Sequence, residues 1–297
     1  ISATLEAAKF DKEYWERYFR DLEPSNYKNV NVKRQVMMLK ELGKAALDEE
    51  KFIELSTIES YMIHIYSTAK ICPFSKKNCY LKAEGLSLNP DIEAIMASST
   101  NYDELLFTWQ TWRDVTGRKM KDQYETYVKL SNEVAKANNF SDKGAMWRNK
   151  FESSTFESDL DKLWEEVEPL YDELHKYVLN KLKLQYGDRL DVEDGLIPAH
   201  VLGNMWAQSW INIKHLVEPF PNAPQVNVTQ ALKVNGYTPL KMFQTADEFY
   251  QSLGLDPTNM SYNVTAGAVI EKPTNRDAIC HASAWDFHNG QDFRLVL

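Results

Sequence analysis

The chain has 297 residues, long enough to bury a sizeable core as one large domain or two. Only 11 of them are glycine, and neither a phosphate-cradling Gly-x-Gly pattern nor a lysine-bearing P-loop occurs, which excludes a glycine-turned nucleotide-binding α/β domain and favours a mainly α fold. The formal net charge is −9, with acids and bases interleaved rather than in blocks; this excludes non-specific nucleic-acid binding and leaves no basic patch for an anionic membrane.

In chain order, apolar spacing predicts helices over 32–47 and 49–69, packed as an antiparallel pair. Cys72 and Cys79 then bracket the polar stretch Pro-Phe-Ser-Lys-Lys-Asn, which a disulfide could close; two free thiols are the other reading. Residues 101–138 read as a long helix broken near Gly117. Within it lies Trp112-Arg113-Asp114, where an arginine beside an aspartate is expected as a surface ion pair.

The clearest amphipathic pattern runs from Leu160 through Leu163, Trp164, Val167, Leu170, Tyr171, Leu174, Tyr177 and Val178 to Leu182, in steps of three and four. Ser154 with Glu157 has the spacing of a capping box, Pro169 predicts a kink and Gly187 a left-handed close. Residues 195–213 carry no charge, yet His200, Asn204, Gln208 and Asn212 recur every four residues. That spacing predicts a polar stripe along one helix face, satisfied by neighbouring helices or lining a cleft, and it argues against a membrane span. Loops are expected at 219–227 and 256–265. Near the carboxy-terminal end, 280–287 reads as a short strand, with His281, Ser283 and Trp285 on one face and Ala282, Ala284 and Asp286 on the other; a half-buried structural edge strand accounts for this pattern as well. Asn139, Asn227, Asn259 and Asn263 head glycosylation sequons, which point to a secretory route, and no signal peptide is visible. The six histidines, His64, His175, His200, His215, His281 and His288, include no His-Glu-x-x-His spacing.

Several stretches, collinear and correctly spaced, resemble the angiotensin-converting enzyme family of zinc peptidyl-dipeptidases. They are Cys280-His281-Ala282-Ser283-Ala284-Trp285-Asp286-Phe287 with His288-Asn289-Gly290-Gln291-Asp292-Phe293-Arg294; Ile197-Pro198-Ala199-His200-Val201-Leu202-Gly203-Asn204-Met205-Trp206-Ala207-Gln208; Pro219-Phe220-Pro221; Tyr237-Thr238-Pro239; Lys241-Met242-Phe243; and Glu271-Lys272-Pro273-Thr274. The resemblance implies a large helical metallopeptidase fold with a central cleft and a small β element. Residues 1–297 are then expected to supply about half of it: a partial peptidase domain lacking the first lid helices and the zinc-binding half. Zinc, held in the family by a His-Glu-x-x-His helix expected past Leu297, is the implied cofactor, with chloride as a second ion. No catalytic residue or metal ligand is expected within the segment, and the segment alone is expected to be inactive.

Matched position by position, Gln208 resembles the glutamine that binds the substrate's terminal carboxylate, and His281 the histidine that bonds a substrate carbonyl. Ala282 resembles a residue whose backbone pairs with the peptide, and Ser283 a cleft-lining neighbour. Arg113 resembles a chloride-binding arginine, whereas Phe151 stands where a second chloride site often has tyrosine, which puts that site in doubt. The resemblance also implies a Cys72–Cys79 bridge, a partner for Cys280 just past Leu297, and an extracellular or secretory location. The implied activity is removal of dipeptides from the carboxy terminus of peptides, with peptides as partners. A family member that keeps the peptide-binding wall but has lost the metal site, and a helical scaffold without peptide function, are the alternatives.

Overall fold

The computed structural model describes residues 2–190, 195–221, 228–255 and 257, and the backbone of three short strands at 268–269, 283–286 and 293–296. The chain is mainly α, as expected, and divides into two units, Ile1–Pro221 and Asn222–Leu297. The first contains α1 (Ser2–Tyr18), α2 (Val30–Leu39), α3 (Glu49–Thr68), α4 (Leu81–Glu84), α5 (Glu93–Ser98), α6 (Tyr102–Val115), α7 (Lys121–Ala137), α8 (Lys143–Arg148), α9 (Phe156–Tyr186) and α10 (Lys214–Val217). Strands β1 (Lys70–Ile71) and β2 (Leu86–Ser87) pair antiparallel between α3 and α5. In the second unit, α11 (Val228–Val234) and α12 (Pro239–Ser252) precede a three-stranded sheet of β3 (Ala268–Val269), β4 (Ser283–Asp286) and β5 (Phe293–Val296), in the order β3-β5-β4.

Helix starts follow local chemistry. Asn29, Asp48, Asn101, Asp142 and Thr238 each stand in extended backbone before a helix, and each accepts a hydrogen bond from an amide of the first turn that has no helical partner. The capping box expected at Ser154 and Glu157 is not formed. The helix begins at Phe156, so Thr155 stands at the cap position and its hydroxyl donates to Asp159 Oδ2 at 2.7 Å instead. The far end stops at Gly187 as expected, but with φ of +59° and ψ of −140° rather than in the left-handed helical conformation. The helix runs on as one element through Pro169.

The break near Gly117 is present: Gly117–Met120 form a 3-10 turn between α6 and α7. The expected pairing of 32–47 with 49–69 is not. Residues after Leu39 leave the helix, Gly43 takes φ of +65°, and α3 packs on α7 and α1. Asn138 fastens this corner. Buried at the end of α7, its amide donates to Gly43 O at 2.9 Å and Val134 O at 2.8 Å, and its Oδ1 accepts from Gly43 N at 2.9 Å. Both polar groups of Gly43 are therefore satisfied by one side chain.

Three buried clusters hold the first unit together. One joins α3 to α7 and α8 through Phe52, Leu55, Leu130, Val134 and Met146. A second gathers Ile71, Ile92, Met96, Leu105, Trp112 and Met205. The third packs Val178, Leu182, Leu190, Val201, Leu202 and Ile213. The apolar stripe of α9 is thus divided: Val178 and Leu182 are buried, whereas Leu160, Leu163, Val167 and Leu170 remain exposed. Among the described residues, no helix is long and apolar enough to cross a membrane.

His200 is an uncommon member of this interior. Its ring sits edge-on to Tyr102 at 4.5 Å, it is only 4% exposed, and its Nε2 has no hydrogen-bond partner among the described residues. Burial disfavours the imidazolium and pushes its pKa down from 6.5 to about 4.

Three outcomes are expected. Asn138→Ala, which strands two Gly43 groups, should lower stability by about 2–4 kcal/mol in denaturant titration. Gly43→Ala should cost about 1–2 kcal/mol, because nothing crowds the added methyl and only its left-handed backbone opposes it. For His200, the unfolded chain takes up a proton near pH 6.5 and the folded chain only near 4. Stability should therefore be unaffected by this group above pH 6.5 and fall as pH drops from 6.5 towards 4, by about 3 kcal/mol at most. His200→Gln should flatten that slope in urea unfolding followed at several pH values, and an unchanged slope would show that other groups set it.

Candidate peptide-binding site

Residues 195–213 do not form the helix that their polar spacing predicted. Gly195, Gly203 and Ala207 have φ of +73°, +87° and +56°, which a right-handed helix does not admit, and only the 3-10 turns Ala199–Val201 and Ile211–Ile213 remain. Gly203 is required in a second sense, since an added Cβ would lie 3.1 Å from Asn212 Cβ and 3.2 Å from Ile213 Cγ2.

With no helix ladder, side chains take over its hydrogen bonds. Asn204 Oδ1 accepts from Trp206 N at 3.0 Å and Gln208 N at 3.3 Å. Asn212 Nδ2 donates to Gly203 O at 2.8 Å, and Trp210 Nε1 donates to Ala207 O at 3.2 Å. Of the predicted polar stripe, Asn204 and Asn212 are thus turn fasteners, whereas His200 is buried and Gln208 is exposed. Met205 at the tip of the turn is buried, while Trp206 and Gln208 on either side of Ala207 are exposed. Trp206 Nε1 donates to Tyr66 Oη of α3 at 3.1 Å. The Gln208 side chain makes no hydrogen bond among the described residues. It offers a neutral N–H donor and a carbonyl acceptor whose availability does not change with pH.

Arg113 departs from the surface ion pair expected with Asp114. Asp114 pairs with Arg118 one turn on, at 3.1 Å, and Arg113 turns inward. Its guanidinium lies over the Trp109 ring, 3.6 Å from the centroid, and donates to Met205 O at 2.8 Å, to Met205 Sδ at 3.0 Å and to Trp109 O at 3.3 Å. Among the described residues no carboxylate pairs with it. Burial lowers its pKa from the usual arginine value, opposed by the nearby Tyr66. Arg113 and Gln208 therefore belong to one assembly: α6 grips the turn at Met205, and the turn carries Gln208 three residues later. Neither the Asn204 turn nor the Arg113–Met205 bond was recognised in the sequence, although Gly203-Asn204 is a dipeptide that favours turns.

The remaining positions are spread along the chain. Cys72 and Cys79 form a disulfide, with Cα atoms 5.6 Å apart. Phe151 is exposed and stacks on Phe156 at 4.2 Å. Asn139 is exposed directly after α7, with φ of +66°. His281, Ala282, Cys280, Asn227, Asn259 and Asn263 lie outside the described residues. Ser283 opens β4, which lies at an edge of its sheet and pairs with β5 from Ser283↔Val296 to Asp286↔Phe293. His64 lies on α3, His175 on α9 and His215 on α10, and His200 is buried. Among the described residues no three His, Cys, Asp or Glu side chains gather as a metal site, so these residues do not fit a zinc ion and no hydrolytic step is assigned to them.

The family model described as angiotensin-converting enzyme, peptidase family M2, matches residues 1–296. The chain is 42% identical over 275 residues to the angiotensin-converting enzyme of Theromyzon tessulatum, which covers 91% of this chain and 43% of that relative. It is 44% identical over 272 residues to the enzyme of Rattus norvegicus, covering 91% and 20%, and 42% identical over 282 residues to that of Bos taurus, covering 95% and 21%. The chain spans less than half the length of these relatives. A family-model match along nearly the whole sequence and identities above 40% to these relatives lead to one conclusion: the chain belongs to the angiotensin-converting enzyme family of peptidases.

Proposed function

We propose that this chain carries part of the peptide-binding wall of a zinc peptidyl-dipeptidase, an enzyme that removes dipeptides from the carboxy terminus of peptides. The observation that carries this reading is the exposed amide of Gln208, without a partner among the described residues, on a turn held by side chains of its own segment and of α6. A pre-set neutral donor suits a carboxylate that must bind and leave in each turnover, because it bonds the anion without the desolvation cost of a buried cation. The edge strand β4 suits the peptide's main chain, since unpaired strand groups bond any extended peptide regardless of sequence. In this reading His281 bonds a substrate carbonyl, Ala282 pairs through its backbone and Ser283 lines the cleft. Zinc would supply the Lewis acid that activates the attacking water in such an enzyme, and none of the described residues is assigned to hold it. The protein is extracellular or passes through the secretory pathway, consistent with the Cys72–Cys79 bridge and an exposed Asn139 sequon.

Arg113 is the proposed chloride ligand. A half-buried guanidinium with no carboxylate partner among the described residues retains positive charge for an anion. Arg113→Gln in the full-length protein should weaken the dependence of activity on chloride. An unaltered chloride titration would assign Arg113 to holding Met205 alone.

Gln208→Ala in the full-length protein should lower kcat/KM for peptides ending in a free carboxylate by about ten- to a hundredfold, the loss of one hydrogen bond to a charged group of about 1.5–3 kcal/mol. Peptides with an amidated terminus should be affected much less, and metal content should not change. Equal slowing of both substrate types would mean that Gln208 does not read the carboxylate.

A further inference from the structure

We propose that Asn204 is a positioning residue for Gln208, holding the turn that sets the direction from which the Gln208 amide meets the peptide carboxylate; this rests on the carboxylate-binding reading of Gln208. The Gln208 side chain is exposed and makes no hydrogen bond among the described residues, so nothing beyond its own backbone aims it. That backbone is neither helix nor strand. It follows Ala207, whose φ of +56° is a conformation that residues with a Cβ seldom adopt unless their surroundings impose it. The group that binds the Gln208 main chain directly is Asn204: its Oδ1 accepts from Gln208 N and, on the near side of Ala207, from Trp206 N. One acceptor thus brackets the strained residue and fixes the rotation between the two exposed side chains.

The turn is anchored on its other sides. Met205 is buried with its carbonyl held by Arg113, Gly203 O is held by Asn212, Ala207 O by Trp210, and the Trp206 indole by Tyr66. These anchors fix where the turn sits. Among the described residues, only Asn204 bonds the two amides that decide how its exposed end is rotated. Asn204 itself is half-buried and needs no contact with the ligand to act.

The test is a double-mutant cycle in the full-length protein, reading equilibrium binding of a short peptide with a free carboxy terminus and of its amidated counterpart, with hydrogen exchange read alongside. Asn204→Ala should weaken the free-acid peptide about tenfold and leave the amide within about twofold. In a Gln208→Ala background it should have no further effect, because both substitutions remove the same interaction. Exchange at the Trp206 and Gln208 amides should accelerate in Asn204→Ala but stay slow in Asn204→Asp, which keeps an acceptor oxygen and guards against general loss of folding. Additive effects of the two substitutions on free-acid binding, or unchanged exchange at both amides, would overturn the proposal. If Gln208→Ala alone weakens acid and amide peptides equally, the carboxylate reading fails by its own variant, and the exchange data still decide whether Asn204 holds the turn.

Discussion

The first unit depends on an uncharged segment that must run between two buried clusters without a helix or strand to satisfy its backbone. Val201, Leu202 and Ile213 enter one cluster and Met205 the other, so 199–213 is pinned at both ends by apolar burial. Buried amides and carbonyls in such a segment need partners, and an unmade hydrogen bond costs about 1–3 kcal/mol. Asn204, Trp210, Asn212 and Arg113 supply them. The chemistry of the exposed end of the turn follows from this constraint. Trp206 and Gln208 are exposed while Met205 is buried, and Ala207 between the two exposed residues takes a positive φ.

Arg113 shows how magnitude decides between two partners. An exposed pair with Asp114 would contribute about 0–1 kcal/mol. Turning inward places the guanidinium on the Trp109 face and caps a buried carbonyl, interactions that gain strength as water is excluded. Asp114 does not lose by this, since Arg118 lies on the same helical face one turn away. One cation is thereby kept half-buried beside the turn without a neutralising carboxylate among the described residues. That cation clamps Met205, and its unneutralised charge is what the proposed chloride role rests on.

A similar logic joins the distant corner at Gly43. Its left-handed backbone needs glycine locally, but the corner is stable because Asn138, at the end of another helix, satisfies both of its polar groups. The long α9 contrasts with this. Its periodicity runs unbroken, yet only its last third meets enough apolar partners in this unit to be buried, and the earlier stripe from Leu160 to Leu174 stays exposed. Periodicity reports that a helix has an apolar face and not what covers it.

The sequence alone determined the mainly α class, the break at Gly117 and the stop at Gly187, and it narrowed Cys72 and Cys79 to a bridge or two free thiols. Each rests on spacing within a few residues or on the glycine share, which the chain carries wherever it packs. The collinear motifs likewise identified the family that the whole-chain match shows. Tertiary structure decided the rest. Polar residues four apart in 195–213 have the spacing of a helix, and alanine at 207 gives no local sign of positive φ; the turn forms because Arg113 bonds Met205 across 92 positions and Tyr66 bonds Trp206 across 140. The side chain of Arg113 was misassigned for the same reason. Its neighbour in sequence was visible and its partner in space was not, and at separations this long the energy of burial and hydrogen bonding overrides local propensity.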